Sequence, residues 1–278
     1  MHRVYDLHTH STASDGAYSP TALVQAAAAV GVTDLALSDH DTLAGLSEAG
    51  EAAKIAGINL IPSVEVSVSW ERKSIHIVGL RVEVANGPLN EGLARLQCVR
   101  AERAQEMGRR LAKCGFSGCY EAASALAGDG MITRTHFARH LLNIGVIGGL
   151  QDAFDRFLGQ GKPAFVPTEW ASLDEAVGWI TGAGGVAVVA HPQRYKMTGS
   201  WMRKLLEAFK YAGGQALEVV SGSGNPQDID ASATHARRFD LLASAGSDFH
   251  SPDHHWIKLG QLPALPKGLQ PVWSLWND

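Results

Sequence analysis

The chain has 278 residues, 45% hydrophobic and 19% charged, with a formal net charge of −4, and it can bury the core of one barrel-sized domain. The acidic balance argues against a general nucleic-acid binder that relies on broad phosphate contacts, and no stable DNA complex is expected, whereas a phosphorylated small substrate is compatible. No apolar run approaches the roughly 20 residues of a membrane span, which excludes an integral membrane helix.

Two further features concern where the protein works. The first predicted strand begins almost at Met1, which leaves no room for a signal peptide and predicts a cytoplasmic location. Cys98, Cys114 and Cys119 lack the spacing of a thiolate metal site, and we interpret them as reduced thiols without a catalytic role.

Strand-like and helix-like segments alternate along most of the chain. Ser19 and Pro20 supply an N-cap and a first-turn proline for a helix that ends at Gly31. Short β-branched apolar runs predict seven strands, over residues 4–10, 33–38, 59–68, 74–84, 185–190, 216–220 and 241–246. Helical periodicity predicts helices over residues 21–30, 43–56, 173–181, 201–211 and 230–239.

The segment 88–170 interrupts this alternation. It contains helical patterns, hardly any strand-like run and many arginines. We therefore predict a discontinuous barrel domain, formed by residues 1–87 and 171–278, and a helical insert, residues 88–170, that caps the active site.

The repeated strand–helix units predict the fold class. Such units favour a parallel sheet with helical crossovers. We predict an α/β fold, a distorted seven-stranded (βα)7 TIM-like barrel with an inserted helical subdomain, because a closed barrel brings its first and last strands side by side. An open doubly wound sheet is the alternative, but it rarely gathers polar groups from so many strands.

Two pairs of candidate metal ligands lie at opposite ends of the chain. His8 and His10 close the first strand, and Asp248 and His250 follow the last. Alternate residues of a strand point to the same side, roughly 6.5–7 Å apart. Each pair can therefore bind metal together, provided that the first and last strands are neighbours.

Other strand ends add similar groups. Glu65 lies in a strongly apolar strand, where an unpaired carboxylate would be costly, so we expect it to contact metal ions. Any one histidine could be an ordinary buried side chain, but so many ligand-type groups near strand ends predict a site for several ions. The candidate ligands are His8, His10, Asp15, His40, Glu65, His76, His191, Asp248 and His250.

These motifs resemble those of the polymerase-and-histidinol-phosphatase (PHP) phosphoesterases of the amidohydrolase superfamily. The motifs are His8-Thr9-His10, Ser38-Asp39-His40-Asp41, Glu65, His76, His191-Pro192 and Ser247-Asp248-Phe249-His250. The resemblance covers the chain apart from the insert, and it implies a distorted seven-stranded barrel with three metal ions. The implied ligand sets are His8, His10, Glu65 and Asp248 for one ion, Glu65, His76 and His191 for a second, and Asp15, His40 and His250 for a third. Many relatives have histidine at the position of Asp15.

The donor set also bears on the cofactor and the chemistry. Nitrogen and oxygen ligands without thiolate suit Mn²⁺, Zn²⁺ or Fe²⁺, and the resemblance favours two to three Mn²⁺ ions. We hypothesise that a hydroxide shared by two ions attacks phosphorus in line, without a protein nucleophile. The expected catalytic residues are Glu65, His191, Asp248 and His250. Glu65 bridges two ions, and the sequence leaves open which of the others protonates the departing oxygen.

The insert carries a more specific resemblance over residues 132–139. This segment resembles the bacterial PHP branch that hydrolyses nucleoside 3′,5′-bisphosphates and is similar to 5′-to-3′ exoribonucleases. The predicted reaction removes the 3′-phosphate from a substrate such as adenosine 3′,5′-bisphosphate. The second phosphate of this substrate needs a cationic side chain away from the metals, because the ions can neutralise only the phosphate that is cleaved. The candidate substrate contacts are Arg134, His136, Lys162 and Arg194.

Several alternatives use the same residues differently. A 5′-to-3′ exoribonuclease would apply the same chemistry to short RNA, and its mononucleotide product would distinguish it. The arginine-rich insert disfavours a histidinol-phosphate phosphatase. An amidohydrolase acting on C–N bonds would need a metal-bridging lysine that the middle strands lack. A non-catalytic metal-binding module, like the inactive PHP domains of some polymerases, would be expected to have lost ligands.

Overall fold

The computed structural model describes residues 3–276, so the outermost two residues at each end of the predicted barrel domain lie outside the described part. The strands are β1 Tyr5–Thr9, β2 Asp34–Leu37, β3 Asn59–Trp70, β4 Lys73–Leu80, β5 Ala171–Ser172, β6 Val186–Val189, β7 Ala216–Ser221 and β8 Leu242–Gly246. The α-helices are α1 Pro20–Ala29, α2 Leu46–Ala56, α3 Gly87–Lys113, α4 Cys119–Ala127, α5 Arg134–Asn143, α6 Leu150–Ala153, α7 Leu173–Gly182, α8 Gly199–Tyr211 and α9 Pro226–Arg238. Shorter helical turns are Phe154–Leu158, Pro192–Tyr195 and Val272–Leu275.

Seven strands form a nearly closed barrel in the order β1-β2-β3-β4-β6-β7-β8, and the short β5 pairs with β3. At the seam, the backbone N–H of Asp248 donates to the carbonyl of His8 at 2.7 Å, and that of His10 donates to Phe249 at 3.0 Å. A Cβ at Gly246 would lie 2.8 Å from the backbone nitrogen of His8, so this approach requires glycine. The predicted meeting of the first and last strands in a TIM-like barrel is confirmed.

The expectation of an all-parallel sheet is wrong at β4. This strand is antiparallel to both of its neighbours, β3 and β6. The two-residue turn Glu71-Arg72, with φ of 48° and 62°, joins β3 to β4 as a hairpin, so no crossover helix intervenes. We had expected His76 at the end of its strand, but it lies near the start. Because β4 runs in reverse, its start reaches the rim where the parallel strands end.

Strand alternation separates the barrel interior from its outer surface. Val78 and Val188 point inward with Leu7 and Ile61, and Trp276 from the C-terminal segment packs against this inner cluster. The alternate positions of β4 and β6 instead face the surrounding helices. The interior is thus apolar at one end, and polar ligands occupy the other.

Helices α3 to α6 and the turn Phe154–Leu158 lie between β4 and β5 and have their own apolar cluster, which includes Met107 and Phe137. The first half of α3 instead contributes Leu89 and Leu93 to the barrel core. Helix α3 therefore belongs to both cores, and the division into barrel and insert near residue 88 stays a prediction.

Two predictions about the whole chain can be compared with these residues. The three cysteines are free thiols. Within residues 3–276, no helix has both the length and the hydropathy that crossing a membrane requires.

Candidate metal centre

The nine predicted ligand side chains converge at one rim of the barrel. Four overlapping groups of them have ligand atoms within 4.8 Å of one another. The groups are His8, His10 and Asp248; His8, Glu65 and His191; His40, Glu65 and His76; and His10, Asp15, His40 and His250. Together they contain every residue that the strand-end pattern predicted as a ligand. We call this set the ligand cluster.

Glu65 lies at the middle of the ligand cluster. Its side chain is 0% exposed, with Oε1 2.9 Å from Nδ1 of His76 and 3.0 Å from Nε2 of His191. The other oxygen, Oε2, lies 2.9 Å from Nδ1 of His40. Burial alone would raise the pKa of Glu65, but the surrounding histidines, His76 first, hold that pKa well below its usual range. A carboxylate in this position can link neighbouring cation sites.

The two terminal pairs meet across the seam between β1 and β8. Oδ1 of Asp248 lies 3.1 Å from Nε2 of His10 and 3.4 Å from Nε2 of His8. The same histidine nitrogens lie 3.4 Å and 3.3 Å from oxygens of Glu65. Asp248 has a φ of 53°, which is uncommon for a residue with a side chain and is typical of functional sites. His8, His10 and Asp248 form one ligand group with Glu65 beside it, and a single ion held by all four stays a prediction.

Asp15, His40 and His250 form the part of the cluster nearest the insert. Oδ1 of Asp15 lies 3.4 Å from Nε2 of His250 and 3.8 Å from Nε2 of His40. The hydroxyl of Thr135, on α5, donates a hydrogen bond to Oδ2 of Asp15 at 3.0 Å. The insert therefore orients one carboxylate of the cluster and leaves its second oxygen facing the histidines.

Many polar atoms of the cluster are buried without a hydrogen-bond partner of suitable geometry. They include Nε2 of His8 and His10, Oδ1 of Asp15, Nδ1 of His40 and Oε2 of Glu65. Burying polar atoms in this way is costly unless something else binds them. Imidazole nitrogens and carboxylate oxygens at these separations suit divalent cations, so the residues fit a metal site.

The loops that carry the ligands are held by further carboxylates. Asp39 accepts hydrogen bonds from the hydroxyls of Ser11 and Ser14, both at 2.6 Å, and so fixes the loop before Asp15. Asp41 follows His40 directly and accepts a hydrogen bond from Nε of Arg100 at 2.6 Å. This buried ion pair joins α3 to the loop after β2.

Arg194, a predicted substrate contact, lies directly against the cluster. Its Nη1 forms an ion pair with Oδ2 of Asp248, and its Nη2 donates to the hydroxyl of Ser223 at 3.0 Å. Asp248 raises the pKa of Arg194 above its usual value. A substrate role for Arg194 stays a prediction, and its position beside Asp248 is compatible with one.

The other predicted substrate contacts lie in three different settings. Arg134 lines a cavity of about 130 Å³ that also has His40 and His76 in its wall. His136 is 3% exposed, and its Nδ1 accepts a hydrogen bond from the backbone N–H of Thr133 at 3.0 Å, which caps α5. Lys162 is exposed and is not among the residues that line this cavity. Substrate roles for His136 and Lys162 stay predictions to which this geometry adds nothing.

Two arginines that the sequence analysis did not assign line the same cavity. Arg100 and Arg103, on α3, pack over the ring of Trp170 at 5.1 Å and 5.2 Å. Nε of Arg103 is buried without a hydrogen-bond partner. Burial, and then the nearby Arg134, hold the pKa of Arg103 well below its usual range. Arg100 is paired with Asp41, and the guanidinium groups of Arg103 and Arg134 in the same cavity favour an anion there. We call it the arginine cavity.

Glu218 is a buried carboxylate that the sequence analysis missed. It lies on β7, is 2% exposed, and has Oε2 2.7 Å from Nδ1 of His8. A carboxylate that binds the second nitrogen of a metal-ligating histidine fixes the ring orientation and makes the ligand more basic. The signal was present in the sequence, because Glu218 interrupts an apolar strand in the same way as Glu65.

We expect Glu218→Gln to weaken divalent-metal binding by about 10- to 100-fold while the protein stays folded. The amide cannot carry the negative charge that holds the Nδ1 proton of His8. Titration calorimetry with Mn²⁺ measures the change, and Glu207→Gln on the exposed face of α8 is the matched control. Unchanged affinity in Glu218→Gln would show that His8 needs no carboxylate partner.

Comparison with known proteins adds independent information. A family model described as PHP domain matches residues 6–212. A 5′-3′ exoribonuclease of Haemophilus influenzae is 48% identical over 274 residues, 99% of this chain and 99% of the relative. A 3′,5′-nucleoside bisphosphate phosphatase of Chromobacterium violaceum is 46% identical over 269 residues, 96% of this chain and 94% of the relative. The solved structure of an amidohydrolase from C. violaceum, with bound sulfate and no metal, has a TM-score of 0.93 at 46% identity and covers 97% of this chain and 94% of that chain.

These similarities agree with the site geometry. Both sequence relatives are named as enzymes that hydrolyse phosphate esters, and each match extends over nearly the whole of both chains. The ligand cluster can hold divalent cations, and the resemblance inferred from its motifs is confirmed. The chain therefore belongs to the PHP family and is a metal-dependent phosphoesterase.

Proposed function

We propose that the protein removes the 3′-phosphate from nucleoside 3′,5′-bisphosphates, with Mn²⁺ as the cation and the cytoplasm as its location. The C. violaceum relative is named for this reaction. The observation that carries the proposal is the arginine cavity, which shares His40 and His76 with the ligand cluster. The site thus offers two adjacent places for phosphate.

The size and charge of the arginine cavity favour a phosphate group. Its volume of about 130 Å³ is well below the roughly 300–1,000 Å³ typical of pockets that hold whole organic ligands. Guanidinium groups bind phosphate oxygens through forked, charge-assisted hydrogen bonds. A bisphosphate would therefore place one phosphate at the ligand cluster and the other among Arg100, Arg103 and Arg134.

The protein residues divide the work between holding and orienting. The ligand cluster would hold cations that act as Lewis acids and lower the pKa of water. Arg103 and Arg134 would bind the phosphate that is not cleaved and so position the 3′ ester. Arg194, which pairs with Asp248, would neutralise charge on the phosphate that reacts. The catalytic roles of His191, Asp248 and His250 stay predictions.

Product analysis tests this proposal. Protein stripped with a chelator and reloaded with Mn²⁺, Zn²⁺ or Fe²⁺ is incubated with adenosine 3′,5′-bisphosphate or with 3′-AMP. We expect phosphate and 5′-AMP from the bisphosphate, slower release from 3′-AMP, and the highest rate with Mn²⁺. If no metal supports phosphate release from the bisphosphate, the proposal is wrong.

A 5′-to-3′ exoribonuclease is the second candidate. The H. influenzae relative is named for this activity. A cleft of about 1000 Å³, lined by Asp248 and His250, favours it because the cleft offers room for more than one nucleoside. Both reactions break the bond between phosphorus and O3′ of the same nucleotide, so one site can perform both.

A further inference from the structure

Two cavities of different character border the ligand cluster. The arginine cavity is small, and Asp15, His40 and His76 contribute to its wall. The larger cleft, of about 1000 Å³, has Asp248 and His250 in its wall. The linings of both cavities include ligand-cluster residues and share Thr135 and Phe154, so the two cavities adjoin and the cluster borders both.

The larger cleft is bounded by the insert and by the loop after β8. Leu142, Leu150 and Phe154 give it an apolar wall. Trp256, from the loop, is 69% exposed, and its ring stacks on His254 with centroids 5.3 Å apart and planes at 24°. An exposed indole ring that stacks on a second ring with one face can stack on a nucleobase with the other, whatever the base sequence.

Charged groups in the same cleft complement a nucleotide chain. Arg139, on α5, lines the cleft, and its Nη2 donates to the backbone oxygen of Asp15 at 3.2 Å. Arg194 lines it beside Asp248. The acidic Asp253 also lies in the wall, where it accepts a hydrogen bond from Ser251 at 2.9 Å. Arginines beside an aromatic platform are typical of sites that bind single-stranded nucleic acid.

The chemistry explains why a second nucleotide site is needed. When water attacks the first internucleotide phosphorus, the new P–O bond forms and the P–O3′ bond breaks. O3′ of the terminal nucleotide takes up a proton, and the phosphate stays on the shortened chain as its new 5′ end. With the terminal 5′-phosphate in the arginine cavity, the remaining chain must leave the ligand cluster through another space, and the larger cleft borders the cluster at Asp248 and His250.

We propose that the larger cleft, with Trp256 as its stacking platform, binds the nucleotides on the 3′ side of the scissile phosphate of a single-stranded RNA. This inference rests on the proposed function, because it takes the ligand cluster as the place of phosphate cleavage. A nucleoside 3′,5′-bisphosphate has no further nucleotide attached to its 3′-phosphate, so it has no group that could occupy this cleft. The subsite therefore serves the oligonucleotide and not the bisphosphate.

Substitution of Trp256 tests the subsite. Wild type, Trp256→Ala and Trp256→Phe are compared on adenosine 3′,5′-bisphosphate and on a 5′-phosphorylated tetraribonucleotide. We expect kcat/KM of Trp256→Ala to fall about tenfold on the tetranucleotide and to change less than about twofold on the bisphosphate. Trp256→Phe keeps a stacking ring and retains most of the activity. Tyr211→Ala, which removes a 93% exposed ring at the end of α8, is the control and changes neither rate.

Binding provides a readout that does not depend on turnover. In the Glu65→Gln background, anisotropy of a labelled, 5′-phosphorylated tetranucleotide measures affinity directly. We expect the added Trp256→Ala change to weaken this binding about tenfold. Equal affinity of the two variants would overturn the subsite.

The outcomes separate this inference from the proposed function. A wild type that hydrolyses the bisphosphate but never the tetranucleotide, or a Trp256→Ala variant that loses both activities equally, overturns the subsite alone. A wild type that trims the tetranucleotide but leaves the bisphosphate intact overturns the proposed phosphatase. In that case, a selective loss in Trp256→Ala still supports the subsite.

Discussion

Glu65→Gln should lower the rate of phosphate release by on the order of 1,000-fold or more, the largest effect expected of any single change. Glu65 belongs to two of the four overlapping ligand groups, with His191 and His76, and its contacts with His8, His10 and His40 reach the other two. Glutamine has nearly the same shape but no charge, so it cannot bring two cations together. The isosteric change leaves the packing of β3 intact.

The measurement pairs activity with metal content. Phosphate release at saturating Mn²⁺ gives the rate, elemental analysis gives the number of bound ions, and thermal unfolding followed by circular dichroism reports the fold. Glu207→Gln, on the exposed face of α8, is the matched control and should resemble wild type. Full activity in Glu65→Gln with fewer bound ions would show that catalysis does not use the central carboxylate.

Removing one arginine of the arginine cavity should cause the second largest loss of activity. The size of this loss should depend on whether the substrate has a second phosphate. For Arg103→Ala and Arg134→Ala we expect kcat/KM on adenosine 3′,5′-bisphosphate to fall by roughly 10- to 150-fold each, the value of a hydrogen bond to a charged group. The rate on 3′-AMP should change little, since that substrate lacks the 5′-phosphate. The ratio of the two rates is therefore the quantity to measure.

A neighbouring arginine makes the control specific. Arg109 lies on the same helix, α3, but its side chain is 71% exposed and pairs with Glu106. Arg109→Ala should leave both substrates unaffected. If Arg103→Ala lost activity equally on the bisphosphate and on 3′-AMP, the arginine cavity would be positioning the ligand cluster and not binding the second phosphate.

Much of the site could be predicted because the pattern is local. Ligand-type residues in the predicted strands or in the loops just beyond them identified all nine members of the cluster, and their dispersal over the chain required a fold that joins its ends. Strand and helix periodicity also predicted seven barrel strands, and these seven form the barrel. Such patterns depend on each segment's own burial, which the sequence reports directly.

Other features depended on how segments meet. Apolar alternation in β4 is the same for either strand direction, so the sequence could not show that His76 sits at the start of an antiparallel strand. Arg100 continues the spacing of Leu93 and Leu96 on α3, a sign of burial, but the cavity it lines arises only when α3 packs beside Trp170.

The amino-acid sequence by itself determined which side chains can bind metal and that they belong to a barrel, because ligand type and strand periodicity are written within each segment. The tertiary structure alone decided that Glu218 supports His8, that three arginines line one cavity, and that Trp256 lines the larger cleft. Those relations are distances between segments far apart in the chain. Packing sets such distances, and they leave no periodic trace in any one segment.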